Sequence, residues 1–117
     1  MSKRGDSELA SDIIEAITRI EHYTNGISYQ KFMSDTKTQD ALARNIEIIG
    51  EAVKNISDDF KKKHKSLDWK NIAGMRDKLI HQYFGMNLEI VWDVVINKIP
   101  ELKASIEKIH KEFNKKR

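Results

Sequence analysis

The sequence predicts an all-α protein, an up-and-down bundle of four to five helices. Three observations predict it. Apolar residues recur at three- and four-residue steps almost throughout. No stretch alternates apolar and polar residues as a half-buried strand does. Helix breakers are scarce, with one proline and five glycines in 117 residues. The length fits one domain spanning 1–117, with a single core.

The elements follow in order. Leu9, Ile13, Ala16, Ile17 and Ile20 form one helical stripe, with Asp6 or Ser7 as candidate caps and Asn25-Gly26 as the stop. A short segment, SYQKFMSD, follows, with Phe32 and Met33 as its apolar anchors. The third element carries Leu42, Asn45, Ile46, Ile49, Ala52, Val53, Ile56 and Phe60 on one face, capped by Asp35 or Thr36. Arg44, Glu47, Ile48 and Glu51 make a second stripe, and the isoleucine among those charges predicts that this side is covered too. Gly50 costs roughly 1 kcal/mol against alanine in a helix interior, a cost that a close helix approach would offset. The fourth helix starts near Leu67 or Asp68 and runs to about Phe84, after which Gly85 and Asn87 supply a break and a new cap. The fifth carries Leu88, Val91, Trp92, Val95, Ile99, Leu102, Ile106, Ile109 and Phe113, and Pro100 predicts a kink or split within it.

Composition narrows the function. No apolar run approaches the roughly 18 residues of a membrane helix, and the opening MSKRGDSELASD lacks a signal-peptide core. The absence of cysteine excludes disulfides, Cys-ligated zinc and a thiol nucleophile. A cytoplasmic location is expected. The net charge of +3 and pI near 9.1 permit nucleic-acid binding without requiring it. KKKHK at 61–65 and KKR at 115–117 read first as solvated helix ends and second as phosphate contacts.

One run concentrates chemistry: RDKLIHQY, residues 76–83. Trp69, Ile72, Ala73, Arg76, Ile80 and Tyr83 share a helical spacing, so Arg76 stands where the pattern calls for an apolar residue. A buried arginine is costly unless it is paired or faces a ligand. Asp77 and His81 are four apart and therefore neighbours on the helix. Guanidinium, imidazole and phenol together suit phosphate chemistry. Five residues at about 100° each separate Arg76 from His81 by about 140°. Either the helix is distorted near its end or two chains each contribute part of a site; the second stripe of the third element also suggests an extra interface, and a homodimer is expected. From spacing alone, a structural Arg76–Asp77 pair with a surface histidine stands open beside the catalytic reading. His22, His64 and His110 read as surface residues, and Trp69 and Trp92 as core.

RDKLIHQYFGMNLEIVWDVV resembles the signature of the HEPN superfamily in its HepT-like branch. Arg76, Asp77 and His81 match the motif, and Tyr83 completes the form R-x-x-x-x-H-x-Y. RNIEIIGEA at 44–52 and the tryptophan of LDWKNIAGMRDKLIH are similar to the branch as well. The resemblance implies a helical homodimer with the two motifs facing each other. It implies a metal-independent endoribonuclease, without cofactor, serving as the toxin of a toxin–antitoxin pair. Its implied partners are RNA and an MNT-type nucleotidyltransferase that attaches AMP to the motif tyrosine, here Tyr83. In those roles Arg76 holds the scissile phosphate, His81 moves protons, and Asp77 orients the imidazole or the RNA. Arg44, Glu47 and Lys78 are secondary candidates for contact with RNA or a partner. Two other functions stay open: a non-catalytic helical subunit that binds a nucleotidyltransferase, and an RNA-binding module that does not cleave.

Overall fold

The computed structural model describes residues 5–81 and 87–115, apart from the side chains of residues 76, 78–81 and 113–115. Within these bounds every regular element is helical: α1 (Asp6–Thr24), α2 (Tyr29–Met33), α3 (Thr36–Asn55), α4 (Asp58–Lys63), α5 (Trp69–His81), α6 (Leu88–Asp93), a π-helical turn (Val94–Lys98) and α7 (Ile99–Lys115). The chain is an all-α helical bundle, as the periodicity predicts.

α3 is the hub. It packs against α1 and α5 along its length and touches α2 and α6, while α1 also packs on α7. Its core face buries Leu42, Ile46, Ile49 and Val53, and Gly50 is buried with them. Ile13, Ile17 and Ile20 of α1 and Ile106 of α7 are buried in the same cluster. The main stripes of α1 and α3 read from the sequence are the core-facing sides, as are Leu102, Ile106 and Ile109 of α7. Asn45 sits among them, its Nδ2 donating to the Ala41 carbonyl at 2.8 Å. Its buried Oδ1 has no donor among the described residues, an arrangement that costs about 1–3 kcal/mol.

The boundaries depart from expectation in instructive places. Neither Asp6 nor Ser7 caps α1; the N-cap is Gly5, without a side-chain bond. The Asp6 carboxylate instead accepts from the backbone N–H and hydroxyl of Ser57, at 2.9 and 2.6 Å. This ties the start of α1 to the α3–α4 junction, a contact between residues 51 apart that local patterning does not display. Phe60 does not continue α3. The helix stops at Asn55, and Ser57 caps α4, with its hydroxyl accepting from Phe60 N–H. Asp58 and Asp59 in the first turn reinforce that restart. Ile56 and Phe60 are buried all the same. In α2, Phe32 is buried but Met33 is 39% exposed, so only one of the two expected anchors is in the core.

The expected caps at Asp35 and Asn87 hold, accepting from the N–H groups of Thr38 and Ile90 at 3.1 and 3.2 Å, and Asp68 at the start of α5 accepts from Asn71 N–H at 3.0 Å. Gly26 follows α1 with φ +75°, the left-handed conformation glycine adopts without steric cost. Gly85 lies outside the described residues. At Pro100 the chain stays helical, but the α-helix is interrupted just before it, as α6, a π turn and α7. In the π turn, Ile99 N–H bonds the Val94 carbonyl five residues back. Proline lacks the N–H that an α-helix would use and its ring crowds the carbonyl four residues earlier. The wider turn just before Pro100 accommodates both.

Asp35 is held below the ordinary carboxylate pKa, first by the Thr38 backbone N–H and next by the Thr38 hydroxyl. A depressed folded-state pKa contributes stability that is present above the unfolded value and lost as pH falls through the folded one. Asp35→Asn retains a capping oxygen but cannot titrate. The wild type should exceed Asp35→Asn in stability at neutral pH, and the gap should close below about pH 4. Urea unfolding of both proteins at pH 7 and pH 3 measures this, and a gap independent of pH would contradict it.

Candidate active site

α5 carries the motif run as far as His81. Asp68 starts it, and Trp69, Ile72 and Met75 bury its inner side, with Ala73 partly covered. Met75 is a core residue that the sequence pattern did not single out. The Trp69 indole N–H donates to the His64 carbonyl at 2.9 Å, fixing the first turn of α5 to the loop before it. The second tryptophan, Trp92 of α6, is half-buried and packs edge-on to Tyr29 and at a tilt on Phe32. Both tryptophans serve packing.

Arg76, Asp77, Lys78 and His81 all lie on this one helix. The side chains of Arg76, Lys78 and His81, and the whole of Tyr83, lie outside the described residues. The backbone register alone keeps Arg76 and His81 about 140° apart around the axis. Asp77 is the motif side chain whose surroundings are described. It is about half-exposed, and its Oδ1 lies 3.8 Å from Lys54 Nζ of α3. Lys54 is a neighbour the sequence reading missed. Its only sequence signal is a cation two turns beyond Glu47, and nothing local shows that α5 passes beside it.

Arg44 and Glu47 are exposed on α3. They line a groove of about 370 Å³ between α3 and α1, with Asp12, Ile48 and Glu51. The second stripe of α3 is thus covered in part by α1 of the same chain, with Leu9 also in the wall. His64 is another correction. Its ring lies 4.5 Å from that of Phe60, and its side chain is 13% exposed, so it is packed and not a free surface group.

Comparison with known proteins now places the chain. Residues 13–109 match the family model described as Ribonuclease HepT-like, and the chain belongs to that family. It is similar to "Probable ribonuclease HepT" of Thermococcus cleftensis, 48% identical over 109 residues, covering 93% of this chain and 99% of that protein. It is also similar to "Putative RNase MJ0127" of Methanocaldococcus jannaschii, 46% identical over 113 residues, covering 97% and 93%. No solved structure matches. Among the described residues, no helix is long and apolar enough to cross a membrane.

The Lys54–Asp77 pair is half in solvent, so its coupling should be small. A double-mutant cycle of Lys54→Ala and Asp77→Ala should give at most about 1 kcal/mol. Denaturant unfolding reads it directly. A coupling of several kcal/mol would make Asp77 a structural residue first, and loss of activity on its removal would then report unfolding.

Proposed function

We propose that the chain is a metal-independent endoribonuclease that cleaves RNA through its own 2′-hydroxyl. The observation that carries this is the R-x-x-x-x-H-x-Y run of a HepT-like chain, with Arg76 and His81 on one helix. His81 takes the proton of the 2′-hydroxyl as its oxygen attacks the adjacent phosphorus. The 5′-oxygen leaves and takes a proton from a second imidazole, the His81 of a partner copy. Arg76 offsets the charge that builds on the phosphoryl oxygens in the transition state. The products are a 2′,3′-cyclic phosphate and a 5′-hydroxyl end. Asp77, one helical turn before His81, orients the imidazole.

The helical register supports the two-chain site: one α5 does not readily aim both Arg76 and His81 at one phosphate. The proposed unit is therefore a homodimer with both motifs at a shared cleft. Its proposed setting is the cytoplasm, as a toxin controlled by a nucleotidyltransferase. Tyr83 stands two residues beyond His81 and seven beyond Arg76. Its phenol oxygen attacks the α-phosphorus of ATP in the partner enzyme, pyrophosphate leaves, and the phenolic proton passes to solvent or a base. The attached AMP adds bulk and negative charge where the RNA phosphate must sit, and Arg76 is placed to pair with it.

His81→Ala should lower cleavage by a factor on the order of 10² to 10⁴ while retaining much of the RNA affinity. Wild-type cleavage should persist in EDTA. Activity abolished by EDTA and restored by magnesium would refute the mechanism, and wild-type RNA binding without cleavage would point to the RNA-binding module that does not cleave.

Co-expression with the cognate nucleotidyltransferase should add AMP to Tyr83 and suppress cleavage, whereas Tyr83→Phe should stay active beside the same partner. Intact-mass and peptide mapping check the adduct. An adduct on Tyr23 or Tyr29, or full suppression of Tyr83→Phe, would overturn the role of Tyr83.

A further inference from the structure

The lysine cluster at 61–65 has no part in the reaction above. The structure gives part of it a defined setting. Lys63, His64, Lys65 and Ser66 form one wall of a notch of about 520 Å³, and α7 forms the other with Ser105, Lys108 and Glu112. The turn bearing these residues is held in place. The His64 carbonyl accepts from the Trp69 indole, and the imidazole is packed beside the Phe60 ring. His64 Nε2 lies 3.8 Å from Glu112 Oε2. Lys65 and Lys108 alone outnumber Glu112 in its lining, so the notch is positive whether or not His64 is protonated. Ser66 and Ser105 add two hydroxyl donors.

The notch also leads somewhere. Ser66 and Ser105 border a second, narrower groove of about 190 Å³ that runs between α5 and α7 past Asn71 and Met75, with Asp68 and Glu101 against Lys98 in its lining. Met75 immediately precedes Arg76. From Trp69 to Arg76 the helix rises about 10 Å. A strand held at the motif has the notch within reach, although Asp68 and Glu101 outnumber Lys98 in the groove between them.

We propose that this notch binds backbone phosphates of single-stranded RNA away from the scissile bond. The inference rests on the ribonuclease reading for its choice of ligand, but its test does not depend on cleavage. Lys65 and Lys108 are both exposed, one on each wall, and carry the contact. Only RNA long enough to reach from the motif to the notch benefits from it.

The test uses wild type, Lys65→Gln/Lys108→Gln, and a control of equal charge change, Lys31→Gln/Lys37→Gln, on α2 and α3. Binding of a long 2′-O-methylated single strand, which 2′-hydroxyl attack cannot cleave, is measured by anisotropy across a salt series. Cleavage of an unmodified dinucleotide is measured in parallel. The notch variant should bind more weakly, and its slope of log affinity against log salt should be shallower by about 1.4, or about 0.7 per lysine. The control slope and dinucleotide cleavage by both variants should match wild type. An unchanged slope in the notch variant, or an equal fall in the control, overturns the proposal. So does lost dinucleotide cleavage in the notch variant, since the lysines would then belong to the reaction site. If wild type cleaves no dinucleotide but the binding contrast holds, the ribonuclease reading fails and the notch stands. If wild type binds no RNA, both fail.

Discussion

Everything in this bundle leans on α3. Its core face supplies the surface on which α1 and α5 pack, and its ends meet α2 and α6. Four large residues of that face are essentially out of water. Burying such side chains stabilises by roughly 1.5–3 kcal/mol each, more than any exposed ion pair described above. The rotation of α5 about its own axis is set by the same packing. Trp69, Ile72 and Met75 face the core, so the positions of the motif residues around α5 follow from hydrophobic contacts and not from their own chemistry.

That rotation carries the functional consequence. Arg76 and His81 stand about 140° apart around the helix axis. Asp77 lies between them in chain order and meets α3 through Lys54. A single straight helix is a poor frame for a one-chain active site built from these residues. In the proposed dimer, the same helix repeated across a two-fold axis would supply an arginine from one copy and a histidine from the other. The notch at the opposite end of α5 extends the logic: the helix that presents the motif at its C-terminal end begins beside a positive cleft.

Much of this was legible in the sequence, because helical periodicity is a local property. The stripes of α1, α3 and the last helix are the core faces, and the caps at Asp35 and Asn87 are where the short polar residues stand. What escaped was non-local or masked by a coincidence of phase. Asp6 looked like a cap and instead holds Ser57. Phe60 kept the period of α3 although Ser57 restarts the helix. His64 and Lys54 gained their roles only when α7 and α5 were brought beside them. Family membership was legible through RDKLIHQY and RNIEIIGEA, whose match to the Ribonuclease HepT-like model covers residues 13–109. Arg44 and Glu47, by contrast, face the α1 groove, a placement that depends on tertiary packing.

The central claim is that cleavage requires two copies of α5 at one phosphate. Light scattering on the purified chain, at the concentration where it cleaves RNA, tests this most directly. The account predicts a particle of twice the 13.6 kDa chain mass. A 13.6 kDa particle with undiminished cleavage would contradict it.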